Sequence, residues 1–302
     1  MNMVNMQAQQ SFPLHPARDA ERSLHALDRE KSESAGKAEA PIGVFDSGMG
    51  GLTILSALRQ ELPNESYIYL GDTAHCPYGV RSEAEIIDLS ICISRFLIEQ
   101  GVKLIVVACN TASQAALAAL RATFPFIPFV GVVPAVKPAA RATKKGRIGI
   151  AATNQAAKAT YLRQLIDEFA EGIQAFAIGC PELVTLVEEG QLDGPVVEET
   201  VRQALAPILR EDIDVMVLGC THFPALRPII ERVATRQVQV IDSGSAIARR
   251  TRYVLDTENL MQPNAAEGKL QLQVWCTGDP EKFSEVAGKI LGYAVTTQQT
   301  NL

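Results

Sequence analysis

The sequence lacks several features that would assign it to a class at once. No stretch approaches the ~20 apolar residues of a membrane-spanning helix, so a membrane-embedded helix is not expected. The opening residues, MNMVNMQAQQSFPLHPARDAERS, have no basic start followed by an apolar run and do not read as a secretory signal. Cysteine is sparse, with six in 302 residues. That is no disulfide scaffold, and without an export signal free thiols in a reducing cytoplasm are the expectation. Basic charge is in deficit: the formal net charge is −6 and the pI about 5.4. Phosphate backbones need a basic face, so no nucleic-acid partner is expected. The glycine-rich DSGMGG (46–51) is neither a Walker loop nor a dinucleotide fingerprint.

What is present is an ordinary globular composition, 47% apolar and 21% charged, in a chain long enough for one large or two medium cores. Residues 1–40 are polar, with little period outside DAERSLHALDREKSES (19–34), and read as a flexible extension. From Pro41 onward, β-branched runs alternate with helical patterns. The expected strands are 42–45, 67–70, 104–108, 129–133, 147–151, 173–178, 215–219, 238–241 and 270–275. Helices are expected over 50–61, 82–100, 112–122, 154–170, 195–210, 224–235, 244–256 and 280–290. Fully apolar strands alternating with helices imply parallel sheets covered on both faces. LQLQVW (270–275) alternates instead and reads as an edge or half-exposed strand. A weak internal echo pairs IGVFDSG with IGIAATN and VVACNTAS with VLGCTHFP at similar intervals, which suggests two related α/β halves.

Ligands of open parallel sheets bind beyond the carboxyl ends of the strands. The residues there are Asp46-Ser47-Gly48, GDTAHCPYG (71–79), Cys109-Asn110-Thr111, Ala152-Thr153, Cys220-Thr221-His222 and Asp242-Ser243. They supply two thiols, carboxylates, histidine and hydroxyls, but no lysine or arginine. This chemistry suits a small polar ligand held by neutral donors and helix N-termini, and argues against nucleotide phosphates. The glycines of DSGMGG have an equally plain structural reading, as a strand-to-helix turn with an Asp or Ser cap.

Among the cysteines, Cys92 falls inside a helical pattern and reads as a core thiol. Cys180 and Cys276 read as structural, and Cys76 lies in a proline-containing loop that could be near the site but has no partner motif. Cys109 and Cys220 differ: each follows a buried strand, precedes a helix start and has a threonine close by. A thiol so placed gains thiolate character. Paired thiols could hold zinc, but there is no C-x-x-C spacing and His222 is only two residues from Cys220. They could form a redox disulfide, which requires the sulfurs to touch. They could also stand on opposite sides of one substrate, one removing a proton from carbon and the other delivering one, which is stereoinversion.

IGVFDSGMGGLT (42–53), YLGDTAHCPYG (69–79), ACNTAS (108–113), CPELVTLVEEG (180–190) and VLGCTHFPAL (217–226) together closely resemble the bacterial glutamate racemases. The resemblance runs from about Pro41 to about Ser245. It implies two pseudo-symmetric, doubly wound parallel-sheet α/β domains with the site in the cleft between them. One would comprise 41–134 plus 242–302 and the other 135–241. It implies cofactor-independent interconversion of L- and D-glutamate, with Cys109 taking the proton from the D-enantiomer and Cys220 from the L-enantiomer. No lysine at a strand exit offers a Schiff base to a pyridoxal cofactor, and neither cofactor nor metal is expected.

The resemblance further implies that Asp46 assists beside Cys109, and that His222 and Glu188 assist Cys220, although TLVEEG leaves the choice between Glu188 and Glu189 open. Ser47, Tyr78, Gly79, Asn110, Thr111, Thr153 and Thr221 would line the substrate together with Asp46 and His222. Asp72 would be a further cleft-side acid, with His75 near the cleft where many relatives carry arginine. It implies a homodimer, a role in supplying D-glutamate for peptidoglycan and, for relatives with an N-terminal extension, a response to a muramyl-nucleotide activator. Competing readings are an aspartate or other acidic amino-acid racemase, a non-catalytic amino-acid-binding regulator, and a thiol redox protein.

Overall fold

A computed structural model describes residues 37–263 and 271–302. The flexible extension expected over 1–40 therefore lies outside the described residues except at its end. There Ala38 is buried and its carbonyl accepts the Lys103 ammonium at 2.6 Å, so ordered packing reaches back before Pro41.

The first sheet has six strands, all pairing in parallel: β1 (Ile42–Asp46), β2 (Tyr67–Gly71), β3 (Leu104–Val107), β4 (Phe129–Gly131), β9 (Leu272–Cys276) and β10 (Thr297–Gln299). Their order across the sheet is β10-β9-β2-β1-β3-β4. The second sheet contains β5 (Arg147–Ala152), β6 (Gln174–Gly179), β7 (Val215–Leu218) and β8 (Gln239–Ile241) in the order β6-β5-β7-β8. The core of the first sheet, β2-β1-β3-β4, therefore repeats in the second as β6-β5-β7-β8. This is the topological form of the sequence echo. Each half has its switch point beside its first strand, where crevices form at the carboxyl ends.

Alternation along the strands builds two layers on each sheet. Val44, Tyr69, Leu104 and Val106 meet Leu52, Leu55 and Leu58 of the helix Leu52–Glu61, with Ile247 and Leu255 of the helix Gly244–Thr257. Phe45, Ile68, Leu70, Ile105 and Val107 face the other way, onto the helices Glu83–Glu99 and Asn110–Thr123 through Ile86, Ile93, Leu97, Ala112, Ala116 and Leu120. In the second sheet Ile148, Ile150, Val215 and Val217 cover Val136, Ala139, Leu162 and Leu165. Met216 and Leu218 cover Val201, Leu205 and Ile229 on the opposite face. Fully burying one such side chain is worth about 1.5–3 kcal/mol, which is why these strands read as unbroken apolar runs.

Several elements differ from the sequence expectation. LQLQVW is not an edge strand: β9 sits between β2 and the three-residue β10, which carries too little apolar signal to be read. Its alternation reflects a half-buried face instead, since Val274 and Cys276 are buried while Leu272, Gln273 and Trp275 are less so. The helix expected over 154–170 breaks at Ala159, whose backbone is extended, giving Asn154–Lys158 and Thr160–Phe169. Short helices at Val136–Ala142 and Pro181–Glu188 escaped the pattern, the second because it opens on proline, which fits a first helical position. Cys92 is exposed. The helix Glu83–Glu99 buries Ile86, Ser90, Ile93, Ser94 and Leu97, and at 3.6 residues per turn Cys92 faces away from that stripe.

Candidate active site

The carboxyl ends of β1, β3 and β7 bring Asp46, Cys109 and Cys220 together. Asp46 is fully buried. Its Oδ1 accepts from the Gly48 N–H at 2.7 Å and, more weakly, from the Ser47 hydroxyl at 3.4 Å. Its Oδ2 accepts from the Thr221 hydroxyl, on the other half of the molecule, at 3.0 Å. Burial raises the Asp46 carboxyl above its ordinary value, against the His222 charge and the Gly48 and Thr221 hydrogen bonds, which pull it down. Asp46 does not cap a helix, contrary to the plain reading of its loop; it ties two halves together.

The three glycines of DSGMGG have a physical reason in that closeness. A Cβ on Gly48 would collide with the Glu188 carboxylate. On Gly50 it would lie 2.5 Å from His222 Nδ1 and 2.7 Å from the His222 amide nitrogen. On Gly51 it would meet Asp46 and the Tyr69 hydroxyl. Only glycine lets the loop pass this near the opposite wall.

Cys109 is the N-cap of the helix Asn110–Thr123, with Sγ accepting from the Ala112 N–H at 3.5 Å and lying 3.7 Å from the Ser47 hydroxyl. Burial pushes this thiol up to about 12, with the Asp46 charge adding to the push. The Ala112 N–H and Ser47 hydroxyl oppose it without prevailing, and the Cys220 charge is a further small push upward. Cys109 therefore holds its proton at neutral pH.

Cys220 sits differently. It leads not into an α-helix but into a turn and the 3-10 segment Phe223–Leu226, and the helix follows only at Arg227–Ala234. Its Sγ faces His222 Nδ1 at 3.5 Å, and His222 Nε2 meets Glu188 Oε1 at 2.5 Å. Glu188 Oε1 also accepts the Met49 N–H at 2.7 Å. Burial would push His222 down, but the Cys220 charge and hydrogen bond, with Cys76 and Glu188, hold it well above the usual imidazole value. Burial likewise opposes ionised Glu188, yet the His222 hydrogen bond and charge and the Met49 N–H hold it below the carboxylate range. His222 is thus an imidazolium with both nitrogens donating, one to sulfur and one to carboxylate. Glu189 points out and accepts from Gln191 at 3.0 Å, so the pair in TLVEEG resolves to Glu188 on geometry.

Thr111, Thr153 and Gly79 meet at one point. The Thr111 and Thr153 hydroxyls are 3.4 Å apart, and a Cβ on Gly79 would lie 3.2 Å from Thr153 Cβ. Thr153 Oγ1 also caps the helix Asn154–Lys158 through the Ala156 N–H at 3.2 Å. Asn110 is buried and its Oδ1 has no hydrogen-bond partner. Tyr78 turns its hydroxyl inward, donating to Asp72 Oδ2 at 2.6 Å, so only its backbone is left for a ligand.

Asp72 is not an open cleft acid. Besides Tyr78 it takes Thr277 Oγ1 at 2.7 Å and His75 Nδ1 at 2.8 Å, and it is fully buried. It anchors the 72–78 loop. Asp242 and Ser243 are likewise spent on structure, pairing with Arg227 and donating to the Val133 carbonyl respectively. Cys76 is the thiol that the motifs left without a partner. It lies with Glu188 and His222, brought there from a loop whose sequence carries no partner spacing.

A sequence profile of the Asp/Glu/hydantoin racemases matches residues 52–251. A glutamate racemase of Ectopseudomonas mendocina is 40% identical over 256 residues, 85% of this chain and 96% of its own. One from Herpetosiphon aurantiacus is 44% identical over 249 residues, 82% of this chain and 96% of its own. Among solved structures, a Bacillus anthracis glutamate racemase isoform superposes with a TM-score of 0.77 at 35% identity, covering 87% of this chain and 98% of that one. The Escherichia coli glutamate racemase, solved with L-glutamate and the activator UDP-MurNAc-ala, superposes at 0.76 with 37% identity over 86% and 97% of the two chains. The chain belongs to the Asp/Glu/hydantoin racemase family, among its glutamate racemases.

Proposed function

We propose that this chain interconverts L- and D-glutamate without a cofactor, passing the Cα proton between Cys109 and Cys220. The observation that carries the reading is that two strand-exit thiols, from sheets sharing one four-strand order, lie near enough for the charge of Cys220 to act on Cys109, with Asp46 beside Cys109 accepting from Thr221 next to Cys220. A proton on the Cys109 sulfur makes it the acid for L-glutamate. Cys220, facing an imidazolium, is the base that removes the α-proton. The roles reverse for D-glutamate.

The remaining groups stabilise the carbanion-like transition state. The first N–H groups of the helix Asn110–Thr123, unpaired within the helix, suit the carboxylate on which charge develops. The unpartnered Asn110 Oδ1 suits the ammonium. The Thr111–Thr153 contact and Gly79 close the site against water, which strengthens each of these contacts.

In this reading the two lobes divide near residues 134 and 242, the protein acts as a homodimer in the cytoplasm, and its product feeds peptidoglycan synthesis. Among the described residues no helix is long and apolar enough to cross a membrane, which is compatible with that location. The expected muramyl-nucleotide response of residues 1–40 belongs to the same proposal, suggested by the activator bound to the Escherichia coli relative.

The test is incubation with L-glutamate in deuterium oxide without added cofactor. Deuterium enters Cα while optical rotation decays to zero, and L-aspartate run alongside exchanges far more slowly. No exchange with either acid overturns the reading, and faster exchange with aspartate reassigns the substrate.

A further inference from the structure

The geometry points to a binding site for a thiophilic divalent cation such as zinc, formed by Cys76, Glu188 and His222 beside the proton-transfer centre. One ligand atom of each residue lies within 4.8 Å of those of the other two. Zinc holds thiolate at about 2.3 Å and nitrogen or oxygen at about 2.0–2.2 Å, which brings ligand atoms about 3.3–3.8 Å apart. Separations up to 4.8 Å must close by about 1 Å, while His222 Nε2 and Glu188 Oε1, now 2.5 Å apart, must part by about as much to admit the ion between them. One sulfur, one imidazole and one carboxylate is the three-ligand set that leaves a fourth position open.

Here that position has somewhere to open. Cys76 and Glu188 line a cavity of about 490 Å³ whose wall also includes Met49, Val184 and Phe283. Neither Cys109 nor Cys220 is among the residues lining it. Gly48 is part of the design, since a Cβ there would lie 3.0 Å from Cys76 Sγ and collide with the Glu188 carboxylate. The sequence gives no hint of the set, because its members come from three separate segments.

Binding replaces the proton between His222 Nε2 and Glu188 with the ion. The Cys76 thiol and the imidazolium each release one proton to buffer, and no electron moves. His222 Nδ1 still faces Cys220, but Glu188 no longer receives its Nε2 proton. Occupancy therefore slows turnover, a consequence that rests on the racemase reading, whereas binding itself does not.

Cobalt(II) is the probe, because a cobalt–thiolate bond gives a near-ultraviolet charge-transfer band. The full chain, freed of metal and kept reduced, develops the band on titration and loses it to equimolar zinc. Cys76→Ser abolishes the band, Glu188→Gln weakens cobalt affinity by more than about tenfold, and Cys109→Ala leaves both unchanged. A folded chain with no band overturns the site. So does a band that survives Cys76→Ser, or one lost in Cys109→Ala, which would put the ion between the two catalytic thiols. In native chain the racemisation rate falls in proportion to zinc occupancy. An occupied site with undiminished turnover overturns the inhibitory role alone, and the deuterium experiment in metal-free buffer tests the racemase reading separately.

Discussion

Cys109 and Cys220 occupy equivalent places, each at the carboxyl end of a strand flanking a switch point, yet the two walls work by different physics. The Cys109 wall is nearly neutral. Its sulfur takes a backbone N–H and neighbours a serine hydroxyl, and burial with a nearby carboxylate keeps it protonated. The Cys220 wall is a hydrogen-bonded relay of sulfur, imidazolium and carboxylate. In the proposed reaction one thiol starts as acid and the other as base, which suits this difference between the walls, and the fold departs from its own symmetry at one helix start. Where the first half places a helix on its cysteine, the second inserts a turn that lets His222 reach back.

The comparison breaks outright if either thiol is dispensable. Cys109→Ala and Cys220→Ala are each expected to cut racemisation by about 10³-fold or more, in line with loss of a general acid or base. Residual deuterium exchange is confined to L-glutamate in Cys109→Ala and to D-glutamate in Cys220→Ala. Proton nuclear magnetic resonance of Cα checks this, and full racemisation by either variant ends the two-thiol scheme.

The next effect separates the walls. Glu188→Gln removes a charge-assisted bond and should lower kcat/KM by about 10- to 100-fold, whereas Ser47→Ala removes a weak neutral contact and should cost less than about tenfold. Because the enantiomers have equal free energy, kcat/KM must change equally in both directions. The asymmetry appears in kcat and KM taken separately, and equal losses for the two variants would mean the walls are alike.

Gly50→Ala tests how tightly the halves meet. Its methyl would lie 2.5 Å from His222 Nδ1, and overpacking of this kind costs about 1–3 kcal/mol. Calorimetry should record a midpoint lower by about 2–4 °C per kcal/mol, and an unchanged midpoint would mean the loop can yield.

The smallest expected effect is on stability in alkali. Burial raises Cys109 and Cys180 to about 12 and Cys76 to about 11. The folded chain therefore keeps thiol protons that the unfolded chain loses above about pH 9, so stability falls as pH rises from there. Thermal midpoints at pH 8 and pH 10 should show a smaller drop in Cys109→Ala than in the native chain, and an identical drop would mean that thiol titrates as if exposed.

The strand runs, their parallel pairing, the duplication and the two thiols were all legible in the residues, because buried parallel strands must be apolar and strand exits must carry whatever polar chemistry there is. Asp72 is not the open cleft acid the resemblance implies, since nothing local says that the Tyr78 hydroxyl and a distant Thr277 will consume its carboxylate. Cys92 was misplaced because a helical pattern fixes its period but not which residues face inward. Cys76 was unreadable as a partner of His222 and Glu188.

The sequence by itself determined which surfaces must be hidden from water and which residues end the strands, since both follow from local pattern and spacing. Only the tertiary structure decided the protonation of Cys109 and the company each side chain keeps. Those depend on burial and on charges contributed by remote segments, and the field at a sulfur atom is set by distance in space rather than along the chain.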